Sequence, residues 1–99
     1  MTTSYIFKIG FMTFILNDES SGIGYSYPRI FVSFLDGSCL NLDLSIGAVF
    51  AMSSEDFQSW LDGTEIKLDT IEEVKEVFSN LSLSFENFKQ VVDILAENY

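Results

Sequence analysis

The feature that most limits the fold is a change of hydrophobic period partway along the chain. Up to about Leu44 apolar residues fill alternating positions, whereas from about Ser53 they recur at spacings of three and four. Side chains repeat every second residue along a strand and every 3.6 residues around a helix, so the first half reads as sheet and the second as helix. Strands first and helices afterwards is the order of an α+β domain rather than of alternating βαβ units. The expectation is one domain over residues 1–99, a small antiparallel sheet of three to four N-terminal strands packed against two to three C-terminal helices.

Within the strand-like half, Tyr5 to Leu16 is apolar on both alternating rows, Tyr5, Phe7, Ile9 and Phe11 on one and Ile6, Met12, Phe14 and Leu16 on the other. Such a segment reads as one strand covered on both faces. Asn17 to Gly24 is polar with two glycines and reads as a surface loop leading to a second strand at about Tyr25 to Leu35. Register decides the next connection. A two-residue loop at Asp36-Gly37 sets Val32 opposite Asn41 and Phe34 opposite Cys39. A three-residue loop of Leu35, Asp36 and Gly37, with Gly37 left-handed, pairs Val32 with Leu40 and Ile30 with Leu42, and joins the apolar rows. The three-residue loop is therefore favoured. The reverse face then carries Arg29, Phe31, Ser33, Cys39, Asn41 and Asp43, a mixture that suggests partial access to solvent.

Between Ser45 and Met52 the pattern Ile46, Ala48, Val49, Phe50, Ala51 is apolar but too short to separate helix from strand, and burial is expected in either form. Ser53 precedes Glu55 and Asp56 as a helix cap, Phe57, Trp60 and Leu61 supply the apolar face, and Gly63 can close the turn. Glu65 to Leu68 reads as an edge strand. Asp69 or Thr70 caps the next helix, whose stripe is Ile71, Val74, Val77, Phe78 and Leu81; Ser84 caps the last, with Phe85, Phe88, Val91, Val92 and Leu95 inward. Two antiparallel helices over one face of the sheet is the natural assembly.

With 99 residues and ten phenylalanines the chain can build one core and bury roughly 65% of its unfolded surface, folding alone or as a homodimer. Its formal charge is −10, and the imbalance is local: up to Ser54 four carboxylates meet two bases, but from Glu55 eleven meet three. Such a field repels phosphates and anionic lipid, which argues against direct nucleic-acid or membrane binding and for a basic protein partner. Lacking histidine, the chain has no Ser-His-Asp, Cys-His or His-based metal arrangement, and lone Cys39 forms no intrachain disulfide. Gly22-Ile23-Gly24 is only a fragment of a phosphate loop, and Glu72 with Glu76, one turn apart, read as a solvated helix face. No enzyme, cofactor or metal is expected. Ile9 to Leu16 lacks a charged start and a cleavage site, no apolar run approaches the roughly 20 residues of a membrane span, and a reducing, cytoplasmic location fits.

The expectation is an acidic inhibitor that docks on the basic surface of a nucleic-acid-processing protein, in the manner of an immunity protein against a nuclease toxin or a phage inhibitor of a defence-system nuclease. The expected contact residues are Glu55, Asp56, Trp60, Asp62, Glu65, Asp69, Glu72, Glu73 and Glu76. Tyr25, Tyr27 and, more weakly, Phe31 are further aromatic candidates. Arg29 reads as an ion-pair or sheet-edge residue. The rival expectation is a non-catalytic accessory subunit whose contacts are apolar and insensitive to salt.

Overall fold

The computed structural model describes residues 3–18, 28–61 and 63–98. Six strands and three helices follow in the order β1 (Thr3–Ile9), β2 (Met12–Asn17), β3 (Arg29–Ser33), β4 (Cys39–Asp43), β5 (Ala48–Met52), α1 (Ser54–Ser59), β6 (Thr64–Lys67), α2 (Ile71–Asn80) and α3 (Phe85–Asn98). The strands form one sheet in the order β5-β4-β3-β2-β1-β6, antiparallel except that β6 runs parallel to β1. The expected three to four antiparallel strands are therefore corrected to a six-stranded mixed sheet.

Two of the additional strands come from places where local pattern is ambiguous. The run from Tyr5 to Leu16 is a hairpin, not one strand, turned by Gly10 and Phe11 with Gly10 at φ +59°. The two-residue turn puts odd residues of β1 beside even residues of β2 on one face, so Phe7 pairs with Phe14 and their rings stack at 5.4 Å. What read as two apolar faces of one strand is largely one face of two. The undecided segment is β5, paired along β4 from Asp43↔Ala48 to Cys39↔Met52, and it is not buried.

At the β3–β4 turn the three-residue loop is the one formed. Val32 pairs with Leu40, Ile30 with Leu42, the Phe34 amide donates to the Ser38 carbonyl at 2.9 Å, and Gly37 lies at φ +89°. Asp36 accepts from the Ser38 amide at 2.9 Å and hydroxyl at 2.6 Å, which tightens the turn.

The helices divide between the two faces of the sheet, α2 and α3 lying together over one face as expected and α1 over the other. On one face α2 and α3 pack Val74, Phe78, Phe88, Val92 and Leu95 onto Phe7, Phe14, Leu16, Val32 and Leu42, a core dense in rings, with Phe78 and Phe88 at 4.8 Å. On the other, α1 brings Phe57 against Ile15, Phe31 and Cys39. Phe31 is only 1% exposed and Cys39 is buried, while Arg29, Ser33, Asn41 and Asp43 keep the partial access to solvent expected of this face.

The caps follow the sequence closely. Ser53 accepts from the Asp56 amide, Thr70 and Glu73 form a reciprocal capping box, and Ser84 accepts from the Asn87 amide at 3.1 Å. Helix α1 ends at Trp60 before reaching Gly63. Helix α2 ends with Ser82 at φ +58°, the Leu83 amide donating to Phe78 O at 2.8 Å and the Ser82 amide to Ser79 O at 3.1 Å, a paired-bond terminus that usually employs glycine.

Candidate protein-binding surfaces

The nine expected contact residues do not form one surface. Glu55 and Asp56 are exposed in the first turn of α1, on one side of the sheet. Glu65 is exposed on β6 beside Ser4, at the sheet edge. Asp69, Glu72, Glu73 and Glu76 are exposed at and within the start of α2, on the opposite side. Asp62, with Tyr25 and Tyr27, lies outside the described residues. Sequence proximity joined carboxylates that the chain separates when it passes under the sheet as α1 and returns as β6.

Trp60 has a structural task. Its ring stacks on Phe31 with centroids 5.4 Å apart, and the Arg29 guanidinium lies 4.6 Å from the ring centroid, a cation–π contact at a position expected to be an ion-pair or sheet-edge residue. Its carbonyl accepts from Asn17 Nδ2 at 3.0 Å and Ser4 Oγ at 3.2 Å, and Asn17 Nδ2 also donates to Ser4 Oγ at 3.3 Å. Both polar residues are fully buried, so this network pins the C-terminal end of α1 to β1 and β2.

Glu73 is likewise partly engaged. Its Oε1 accepts from the Thr70 amide at 3.1 Å and hydroxyl at 3.0 Å, holding the start of α2. Glu72 and Glu76 make no such contact among the described residues and present their carboxylates outward. With α3 beside it, this helical layer displays Glu72, Glu73, Glu76, Glu86, Asp93 and Glu97 against Lys75 and Lys89. Lys89 is paired with Asp93 at 2.5 Å, and Lys75 lies over the Phe85 ring at 5.4 Å. Both pairs are local to the helices and leave the outward field acidic.

The chemistry of the remaining groups is quiet. Burial pushes the Cys39 thiol up from its ordinary range and the Asp36 carboxylate adds to the shift, which makes it a poor nucleophile. Asp36 and Asp43 are held below the usual carboxylate range by hydrogen bonds from Ser38 and Ser45 at their turns. A groove of about 500 Å³ at the ends of β3 and β4 is lined by Pro28, Arg29, Asn41, Asp43, Phe50 and Leu83. It offers one guanidinium and one carboxylate already bonded at its own turn. Among the described residues no three Cys, Asp or Glu side chains gather as a metal site, and no helix is long and apolar enough to cross a membrane.

One surface escaped the sequence reading altogether. In β5, Val49 is 44% and Phe50 50% exposed, and the outer side of the strand pairs with no other strand among the described residues. The available signal was the absence of any charge from Leu44 to Ser54. Such a run is ordinarily buried, which is why exposure is not evident from local sequence. Comparison of the chain with protein-family models, with curated proteins and with solved structures finds no match.

Proposed function

We propose that the chain is a cytoplasmic acidic inhibitor that works by protein–protein binding, occluding the basic surface of a nucleic-acid-processing protein such as a nuclease toxin or a defence-system nuclease. The observation that carries this reading is the outer surface of α2 and α3, where six carboxylates face two lysines, one of them already paired. Successive carboxylates on one helix face lie about 5–6 Å apart, close to the spacing a phosphate-binding groove accepts. A buried free thiol at Cys39 is in keeping with a reducing compartment.

The test is Glu72→Lys combined with Glu76→Lys, leaving Glu73 in its cap. Immobilised wild-type protein is expected to retain from source-cell extract a nucleic-acid-degrading activity that it inhibits and that high salt releases; the double variant neither retains nor inhibits it. Retention by both proteins alike, or retention unchanged by salt, rejects the reading. The accessory-subunit reading is favoured by a different observation, the apolar outer strand β5, and predicts association that survives both the double variant and high salt.

A further inference from the structure

The two edges of the sheet are built differently. At one edge β6 is four residues long and carries Glu65 and Lys67, charges of the kind that keep a strand edge from recruiting another chain. At the other, β5 reads Ala-Val-Phe-Ala-Met with no charge and no proline. The helical layer does not cover it, and the physical reason is width. Six strands about 4.8 Å apart span roughly 24 Å from first axis to last, whereas two helices side by side cover about 20 Å, so the edges are left over, β6 exposed throughout and β5 exposed at Val49, Phe50 and Ala51.

The hydrogen-bond phase of this edge follows from the β3–β4 turn. The Phe34 amide bonds to Ser38, so alternation turns Leu40 and Leu42 toward β3 and Cys39, Asn41 and Asp43 toward β5. Ala48, Phe50 and Met52 then face β4 with their main-chain groups, and Val49 and Ala51 present amide and carbonyl outward. A row of donors and acceptors at strand spacing is matched by an extended segment and not by a helix face.

Charge decides which extended segment. Between Arg29 and Lys67 the sequence contains Asp36, Asp43, Glu55, Asp56, Asp62 and Glu65 and no base. Asp43 pairs with Ala48 at one end of β5, and Glu55 and Asp56 follow Met52 at the other, so an apolar strand is bracketed by carboxylates. A second copy meets this edge with the same carboxylates at the same ends and is repelled. A segment apolar at its centre with Lys or Arg at both ends matches in hydrogen bonding, hydrophobicity and sign.

We propose that β5 is a docking edge on which an extended, basic-ended segment of a partner protein adds as a seventh strand. This goes beyond the inhibitor reading, since it concerns an edge of the sheet and not the outward face of α2 and α3, and either stands if the other fails.

The probe is the peptide KKVTVTVKK, titrated into the full-length 15N-labelled protein, with EEVTVTVEE as the charge control. Binding is expected to shift the Val49 and Ala51 amides and slow their hydrogen exchange at least about tenfold, with the control peptide inert. Ala51→Pro removes an outward donor without touching the groups that face β4, and Val49→Lys places a like charge at the edge; each is expected to lose at least about tenfold in affinity while the remaining amide spectrum stays folded. Either variant suffices if the other fails to fold. Shifts confined to Glu72 to Glu76, equal binding of the glutamate-ended peptide, or a sedimenting dimer that Val49→Lys dissociates each overturn the proposal, the last by showing that a second copy occupies the edge.

Discussion

Replacing Asn17 tests whether a buried polar network fixes α1 to the sheet. Asn17 Nδ2 donates to Trp60 O at 3.0 Å and to Ser4 Oγ at 3.3 Å in a site closed to water. Asn17→Ala loses at least these two bonds, at about 1 kcal/mol each, while Ser4 still donates to Trp60 O, so a loss of at least about 2 kcal/mol is expected. Against a total stability of about 5–15 kcal/mol that is a large change, and with a urea slope of about 2 kcal/mol/M it lowers the midpoint by about 1 M. Asn17→Asp sharpens the test, because a carboxylate then replaces the donor facing Trp60 O. At pH 7 the cost rises to at least about 3 kcal/mol, as for a charge buried in place of an amide donor. The new carboxyl has a folded pKa raised above its unfolded value of about 3.9, so the variant keeps its stability below that pH and loses it as pH rises through the folded value. Urea unfolding followed by the fluorescence of Trp60, the chain's one tryptophan, at pH 3.5, 5 and 7 reads these effects directly. Equal midpoints for wild type and Asn17→Ala, or an Asn17→Asp penalty that does not change with pH, refute the reasoning.

Phe78→Ala empties the centre of the ring cluster formed with Phe7, Phe85 and Phe88 and is expected to cost about 3–5 kcal/mol, lowering the thermal midpoint by at least about 12 °C in calorimetry. Ser82→Gly relieves a left-handed residue at the end of α2 and is expected to raise stability by about 1 kcal/mol in urea titration, an unchanged or lower midpoint counting against the strain. Cys39 is expected to resist a thiol reagent in the native protein and react at once in denaturant. Because its folded pKa is raised, the thiol's contribution to stability is full below the unfolded value and is lost as pH rises through the folded one, so an alkaline titration of wild type and Cys39→Ala should diverge there.

Signals carried within a few residues were legible in the sequence. The caps at Ser53, Thr70 and Ser84 depend on a hydroxyl placed three residues before an amide, and the Gly37 turn depends on one left-handed residue and on matching two apolar rows. The inward stripe of α3 and most of that of α2 follow from helical spacing, although Ile71, at the start of α2, stays exposed. These features were fixed by local geometry, and the structure preserves them.

Tertiary structure decided what depends on partners distant in the chain. The hairpin at Gly10 was hidden because both alternating rows around it are apolar, and only pairing of Phe7 with Phe14 separates one long strand from two short ones. Nothing local in α1 tells which face of the sheet it will cover; that is settled where Phe57 meets Phe31 and where Trp60 O meets Asn17 and Ser4. The same crossing carries the chain from one sheet edge to the other, which adds β6 parallel to β1 and divides the acidic stretch from Glu55 to Glu76 between opposite sides. The exposure of the edge strands β5 and β6 is a matter of width, two helices being too narrow for six strands. Periodicity assigned the elements, because it is a property of neighbours in sequence; layers, edges and exposed surfaces were decided by packing, because they are properties of neighbours in space.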